Sequence, residues 1–150
     1  MSNSPHHLRY YSLRTTGALQ LTNFETLTIM ENTSDFDALA LEVFYTKGAG
    51  SSMGLVIDVT NTLGVRVKDN LSVGPTRTSD DWFRRVVEST TGSITDIVQQ
   101  EYEIEASGRY AILVQPVRAK AIRIGVRGGG GSIDGSNCII DAHLTNTYRG

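Results

Sequence analysis

Apolar side chains return at every second position in five separate stretches of this chain, and few folds satisfy that pattern. Leu39, Leu41, Val43 and Tyr45 form the first run, and Leu55, Ile57 and Val59 the second. Tyr110, Ile112 and Val114, then Ile122, Ile124 and Val126, then Cys138, Ile140, Ala142 and Leu144 complete the series. A period of two places such residues on one face of a strand and turns the residues between them outward. Strands with one apolar face need a second apolar layer to cover it, and no alternation with helices offers one here. The pattern predicts an all-β chain folded as an antiparallel β-sandwich, jelly-roll or immunoglobulin-like, with about eight or nine strands.

Turn chemistry divides the pattern. A first strand region is predicted over 18–30, with a bulge or a switch between sheets near Asn23, because Phe24 breaks the parity set by Leu19 and Leu21. The cluster Glu31 to Asp35 turns the chain into a strand over 38–46, and the Gly-rich loop Lys47 to Ser52 leads to another over 54–61. A short pair follows at Val65 and Val67. Ser79 to Val87 reads as a loop or a single helical turn capped by Ser79, the alternative being an extended run through Val87. Residues 93–99 read as extended. Strands are then predicted over 100–106, 109–115, 120–127 and 137–146, with Gly128 to Gly131 in a hairpin loop. Residues 1–16 are polar, contain Pro5 and lack either period, so they read as a flexible N-terminal arm on a single sandwich domain, 17–150. Tyr10 and Tyr11 give that arm apolar area that can dock on a neighbour.

Several function classes find no support. A formal net charge of −2 creates no field toward nucleic acid or anionic lipid. No run approaches the roughly 20 apolar residues of a membrane-spanning helix, and the N-terminal residues lack the apolar segment of a secretory signal. The one cysteine, Cys138, allows neither an intramolecular disulfide nor a Cys-x-x-Cys zinc pair, and its strand position predicts a small buried hydrophobe. His6 and His7 have no third ligand beside them, and His143 falls on the outward parity of its strand without a nucleophile or orienting partner. Asp35, Asp37, Asp80, Asp81 and Asp134 do not follow calcium-loop spacing. The four-glycine run lacks the Gly-Lys-Ser/Thr of a phosphate cradle. The expectation is a protein without catalysis, metal or cofactor.

Charge and aromatic clustering mark the candidate interface. Residues 109–127 hold Arg109, Arg118, Lys120, Arg123 and Arg127 and no acid, whereas 79–105 hold seven acids against Arg84 and Arg85. Cross-strand pairs of Glu103 and Glu105 with Arg123 and Arg127 are the simplest outcome. The alternative is a subunit interface in which an acidic edge of one protomer meets a basic edge of the next. Nucleic-acid binding ranks behind both, since residues 116–136 carry no aromatic stacking platform. Trp82 and Phe83 beside Arg84 have the composition of a protein–protein anchor, with core packing and sugar stacking as the other readings. The candidate interface residues are therefore Tyr10, Tyr11, Trp82, Phe83, Arg84, Arg118 and Lys120.

The stretch DALALEVFYTKGAGSSMGLVIDVTN from Asp37 to Asn61, the strand GRYAILV from Gly108, the strand AIRIGV from Ala121 and the terminal IIDAHLTNT carry a resemblance. Together they resemble the small β-sandwich virion proteins of tailed bacteriophages, of the capsid decoration (cement) or head-fibre type, over roughly residues 37–146, with a departure in the acid-rich stretch 88–101. The resemblance implies a non-enzymatic structural protein made in the host bacterial cytoplasm and seated on the capsid surface of the virion. It implies a homo-oligomer, a trimer first, whose partner is the major capsid protein or another virion subunit, with no nucleic acid or membrane involved. A carbohydrate-binding module of sandwich fold is the alternative.

Overall fold

The computed structural model describes residues 7–21, 23–50, 52–61, 82–85, 101–129 and 135–146. Among these residues the chain is a two-sheet antiparallel sandwich of ten strands. The first sheet runs β1 (His7–Arg14), β10 (Asn137–Asn146), β4 (Ala38–Thr46), β8 (Gly108–Val114). The second is centred on β9 (Ala121–Gly129) and β5 (Ser52–Thr60). On its β9 side lie two short strands, β2 (Glu25–Thr26) and β3 (Met30–Glu31). On its β5 side lie β6 (Phe83–Arg84) and β7 (Tyr102–Ile104).

The alternation sets the core. Leu39, Leu41, Val43 and Tyr45 of β4 and Cys138, Ile140, Ala142 and Leu144 of β10 are all buried, and they join one cluster with Met53, Leu55, Ile57, Ile122, Ile124 and Val126 of the second sheet. Full burial of a large aliphatic side chain contributes about 1.5–3 kcal/mol, so these layers dominate the favourable side of folding. β8 and β10 keep the alternation, and β4 keeps it from Leu39 onward, because their other face meets water. β5 does not: Gly54, Val56, Asp58 and Thr60 are buried as well, so its second face is covered too.

Three sequence expectations need correction. The expected flexible arm is a strand from His7 to Arg14, paired along β10 from His7↔Asn146 to Arg14↔Ile140. An edge strand needs only one modestly apolar face, here half-buried Arg9 and Tyr11 with buried Leu13, and that mixture carries no readable period. The first strand region is mostly irregular, because Leu19, Leu27 and Met30 reach the core from short, discontinuous pairings rather than from one ladder. Phe24, the parity-breaking residue, does lie at such a break. The loop or helical turn expected at 79–87 instead has Phe83–Arg84 extended against Asp58 and Val59. The pair Val65 and Val67, the stretch 93–99, and residues 130–134 of the Gly-rich loop lie outside the described residues.

Arg14 fastens the end of β1. It is buried, and its guanidinium donates to the carbonyl oxygens of Cys138 (2.7 Å), Gly17 (2.9 Å) and Ala18 (2.8 Å) while pairing with Glu25 at 3.0 Å. One side chain thus ties β1, its following turn, β10 and β2 together. Arg14→Ala leaves those carbonyls without this donor and Glu25 without its cation. We expect a loss of about 2–4 kcal/mol in urea unfolding, with faster amide exchange concentrated in β1.

Cys138 sits between the sheets, its Sγ 3.8 Å from Met53 Sδ. Burial pushes its thiol up to about 11. The folded chain keeps the proton that an unfolded chain releases near pH 8.5, so stability falls as pH rises from about 8.5 toward the folded value, with a slope of at most about 1.4 kcal/mol per pH unit. Burial of Tyr45 acts in the same direction at higher pH. Urea titrations at stepped alkaline pH are expected to show a shallower decline for Cys138→Ala than for the parent chain, and iodoacetamide should label the parent only on unfolding.

Candidate interaction surfaces

The two outer faces of the sandwich differ in kind. On the second sheet, side chains from five segments form a connected shell. Asp58 of β5, only 7% exposed, accepts hydrogen bonds from Arg84 of β6 and from Arg123 of β9, the latter at 3.1 Å. The Arg123 guanidinium lies over the Trp82 ring at 4.6 Å, and Arg84 and Arg127 lie over Phe24 at 5.6 and 4.3 Å. Arg127 also pairs with Glu101 at 2.8 Å, and Arg85 donates to the Tyr102 hydroxyl at 3.1 Å.

Two glycines make this shell possible. A Cβ at position 125 would stand 3.0 Å from Val56 and 3.3 Å from Phe24, so glycine lets Phe24 lie against the strand without either neighbour giving way. Gly54 stands between Glu103 and Arg127 in register, and its missing side chain leaves the space through which the Glu101 carboxylate reaches Arg127. The acid–base pairing read from sequence is therefore reassigned. β7 lies on the far side of β5 from β9, so Glu103 and Glu105 stay exposed, and Glu101 makes the contact instead.

The first sheet presents an open face. Cross-strand rows follow from the register: Tyr10, His143, Ala40 and Leu113 form one, and Ser12, Asp141, Glu42 and Ala111 the next. Ile139, Phe44 and Arg109 make a third. Leu113 is 61% exposed and Tyr10 57%, and Phe44 and Leu8 are exposed beside them. Tyr10 donates to Asp141 Oδ1 at 2.9 Å and packs on the His143 ring at 5.2 Å, while His143 Nε2 lies 3.0 Å from Glu42 Oε1. The hydrogen bond to the Asp141 carboxylate holds the Tyr10 phenol above its ordinary value. Arg109 stacks over Phe44 at 4.8 Å. Between these side chains lies a shallow depression of about 380 Å³, lined by Glu42, Phe44, Arg109, Ala111, Ile139 and Asp141. Among the described residues, no group of three or more His, Cys, Asp or Glu is placed to hold a metal ion.

No family model and no curated protein matches this chain.

The seven candidate residues fall in separate places. Tyr10 stands on the open face, but Tyr11 points the other way and packs on the core. Trp82 and Arg84 belong to the shell on the second sheet, and Phe83, 57% exposed, borders it. Arg118 and Lys120 are exposed on the loop joining β8 to β9 at one end of the sandwich. Sequence reasoning missed Glu42, Phe44, Arg109, Leu113, Asp141 and His143 as one surface. Outward parity marked each of them, but which outward residues share a row depends on strand order and register.

The shell has a testable centre. Asp58→Asn keeps the shape and removes the charge that Arg84 and Arg123 share. Removing one partner of a fully buried pair costs roughly 3–5 kcal/mol; both guanidiniums keep about a third of their surface in water, so we expect about 1–3 kcal/mol. Trp82 emission should shift to longer wavelength in the folded variant as Arg123 loosens from the ring.

Proposed function

We propose that this chain is a non-enzymatic structural protein of a bacteriophage virion, most closely a capsid decoration protein that binds the particle surface and self-associates. The observation that carries the reading is the open outer face of the first sheet, where exposed Leu8, Tyr10, Phe44 and Leu113 surround a small polar cluster on four rigid strands. Aromatic and aliphatic anchors amid a few charges have the composition of a protein-binding patch. Strand order supports the same reading. Counting the short neighbours β2 and β3 as one position and β6 and β7 as another, the chain interleaves its two sheets in the manner of a jelly roll, an architecture used in capsid proteins.

The same architecture serves lectins, which keeps sugar binding as the competing reading. That reading asks for a bare aromatic platform, and the Trp82 ring already carries the Arg123 guanidinium on one face. The virion reading fits better.

Co-sedimentation of the purified chain with purified heads of the phage that encodes it is the direct test. The chain is expected to pellet with the heads saturably and to raise the temperature at which they rupture. A chain that stays in the supernatant at every ratio, or that answers a glycan array instead, overturns the proposal.

A further inference from the structure

The open face contains an arrangement that is unfavourable in a lone protomer. Asp141 of β10 and Glu42 of β4 are direct cross-strand partners on the same outward face. Like charges directly opposite each other destabilise a sheet. Their contacts are the Tyr10 hydroxyl and His143, and among the described residues neither meets a lysine or an arginine. Arg109 lines the same depression, stacked over the Phe44 ring at 4.8 Å, and makes no ion pair with either carboxylate.

The complementary feature lies on the same chain, at another place. Five cations and no acid occur over 109–127. Arg123 and Arg127 pair with Asp58 and Glu101, and Arg109 already belongs to the acidic face, stacked on Phe44. Arg118 and Lys120 remain, exposed and with no ion pair among the described residues. Their loop is held firmly: Val117 and Ala119 are buried beneath it, and Thr33, fully buried, donates its hydroxyl to Ala119 O at 2.7 Å and its N–H to Lys120 O at 3.0 Å. Lys120 N–H donates to Thr60 O at 3.0 Å. Two cations are thus presented outward on a braced loop, so little ordering entropy is lost when they bind.

We infer that the open face of one copy receives the Arg118–Lys120 loop of a second copy, the two cations meeting Glu42 and Asp141 while the loop covers apolar Leu113 and Phe44. The inference rests on the self-association proposed above and names its two surfaces. Since face and loop are different patches of one chain, the contact is either reciprocal about a two-fold axis or head-to-tail, and a head-to-tail contact forms a ring where its rotation closes. Oppositely charged patches also steer the encounter and reject a face-to-face pairing, where four carboxylates would meet.

The test is a charge-reversal set followed by sedimentation velocity, with circular dichroism confirming the fold. The parent chain is expected to sediment as a discrete multimer that dissociates as salt is raised. Glu42→Lys with Asp141→Lys, and separately Arg118→Glu with Lys120→Glu, should each weaken association by roughly tenfold or more. In an equimolar mixture the two variants should associate with each other, because reversed face then meets reversed loop and original loop meets original face. A monomeric parent, reversals without effect, or a mixture in which the two variants do not associate overturns the inference. Particle binding is read in parallel. A multimer with this charge pattern that ignores phage heads upholds the interface and removes the virion reading, whereas a monomer that binds heads does the opposite.

Discussion

Two inner faces of alternating apolar residues, pressed together, hold everything else in this protein in position. Leu41, Tyr45, Ile140 and Leu144 on one side meet a layer that includes Leu55, Ile57, Ile122 and Ile124 on the other, all essentially dry. Because the strand period is two, slipping any pairing by one residue would turn a buried layer into water and bring charge into the core. Register is therefore strongly specified along β4, β8 and β10. The outward residues inherit that precision: Glu42 faces Asp141, and Phe44 faces both Ile139 and Arg109, because Leu41 and Ile140 must face inward.

The two outer faces then diverge for a reason visible in composition. The second sheet carries Gly54 and Gly125 at positions where a Cβ would push neighbours away, and the chain uses the space to lay Phe24 and Glu101 over its own strands. Arginine suits such a cover, since one guanidinium can stack on an aromatic ring and hydrogen-bond a carboxylate at once. The first sheet has bulky outward residues in place of glycines, and nothing from the described chain lies over them.

The fold was legible in the chain to the extent that its strands are long and one-sided. The strand expected over 137–146 matches β10 end to end, and the one expected over 38–46 matches β4. Where burial is two-sided or partial, legibility falls away. β1 mixes Arg9, Tyr11 and Leu13 on its inner face, and its pairing comes from a strand more than a hundred residues later. The candidate site was legible only in fragments. Tyr10, Arg118 and Lys120 were marked by composition, whereas Glu42, Asp141, Phe44 and Leu113 looked like ordinary outward positions. Arg123, read as part of a basic stretch, proves to be satisfied by Asp58 and Trp82 from two distant segments.

By itself the sequence determined that the chain is all-β, that its layers face each other, and which side chains in the long strands are inside, because a local period of two needs no knowledge of partners. Only the tertiary structure decided which strands are neighbours. That choice depends on contacts between segments far apart in the chain, and it settles which charges are neutralised within the molecule and which remain exposed on its surface.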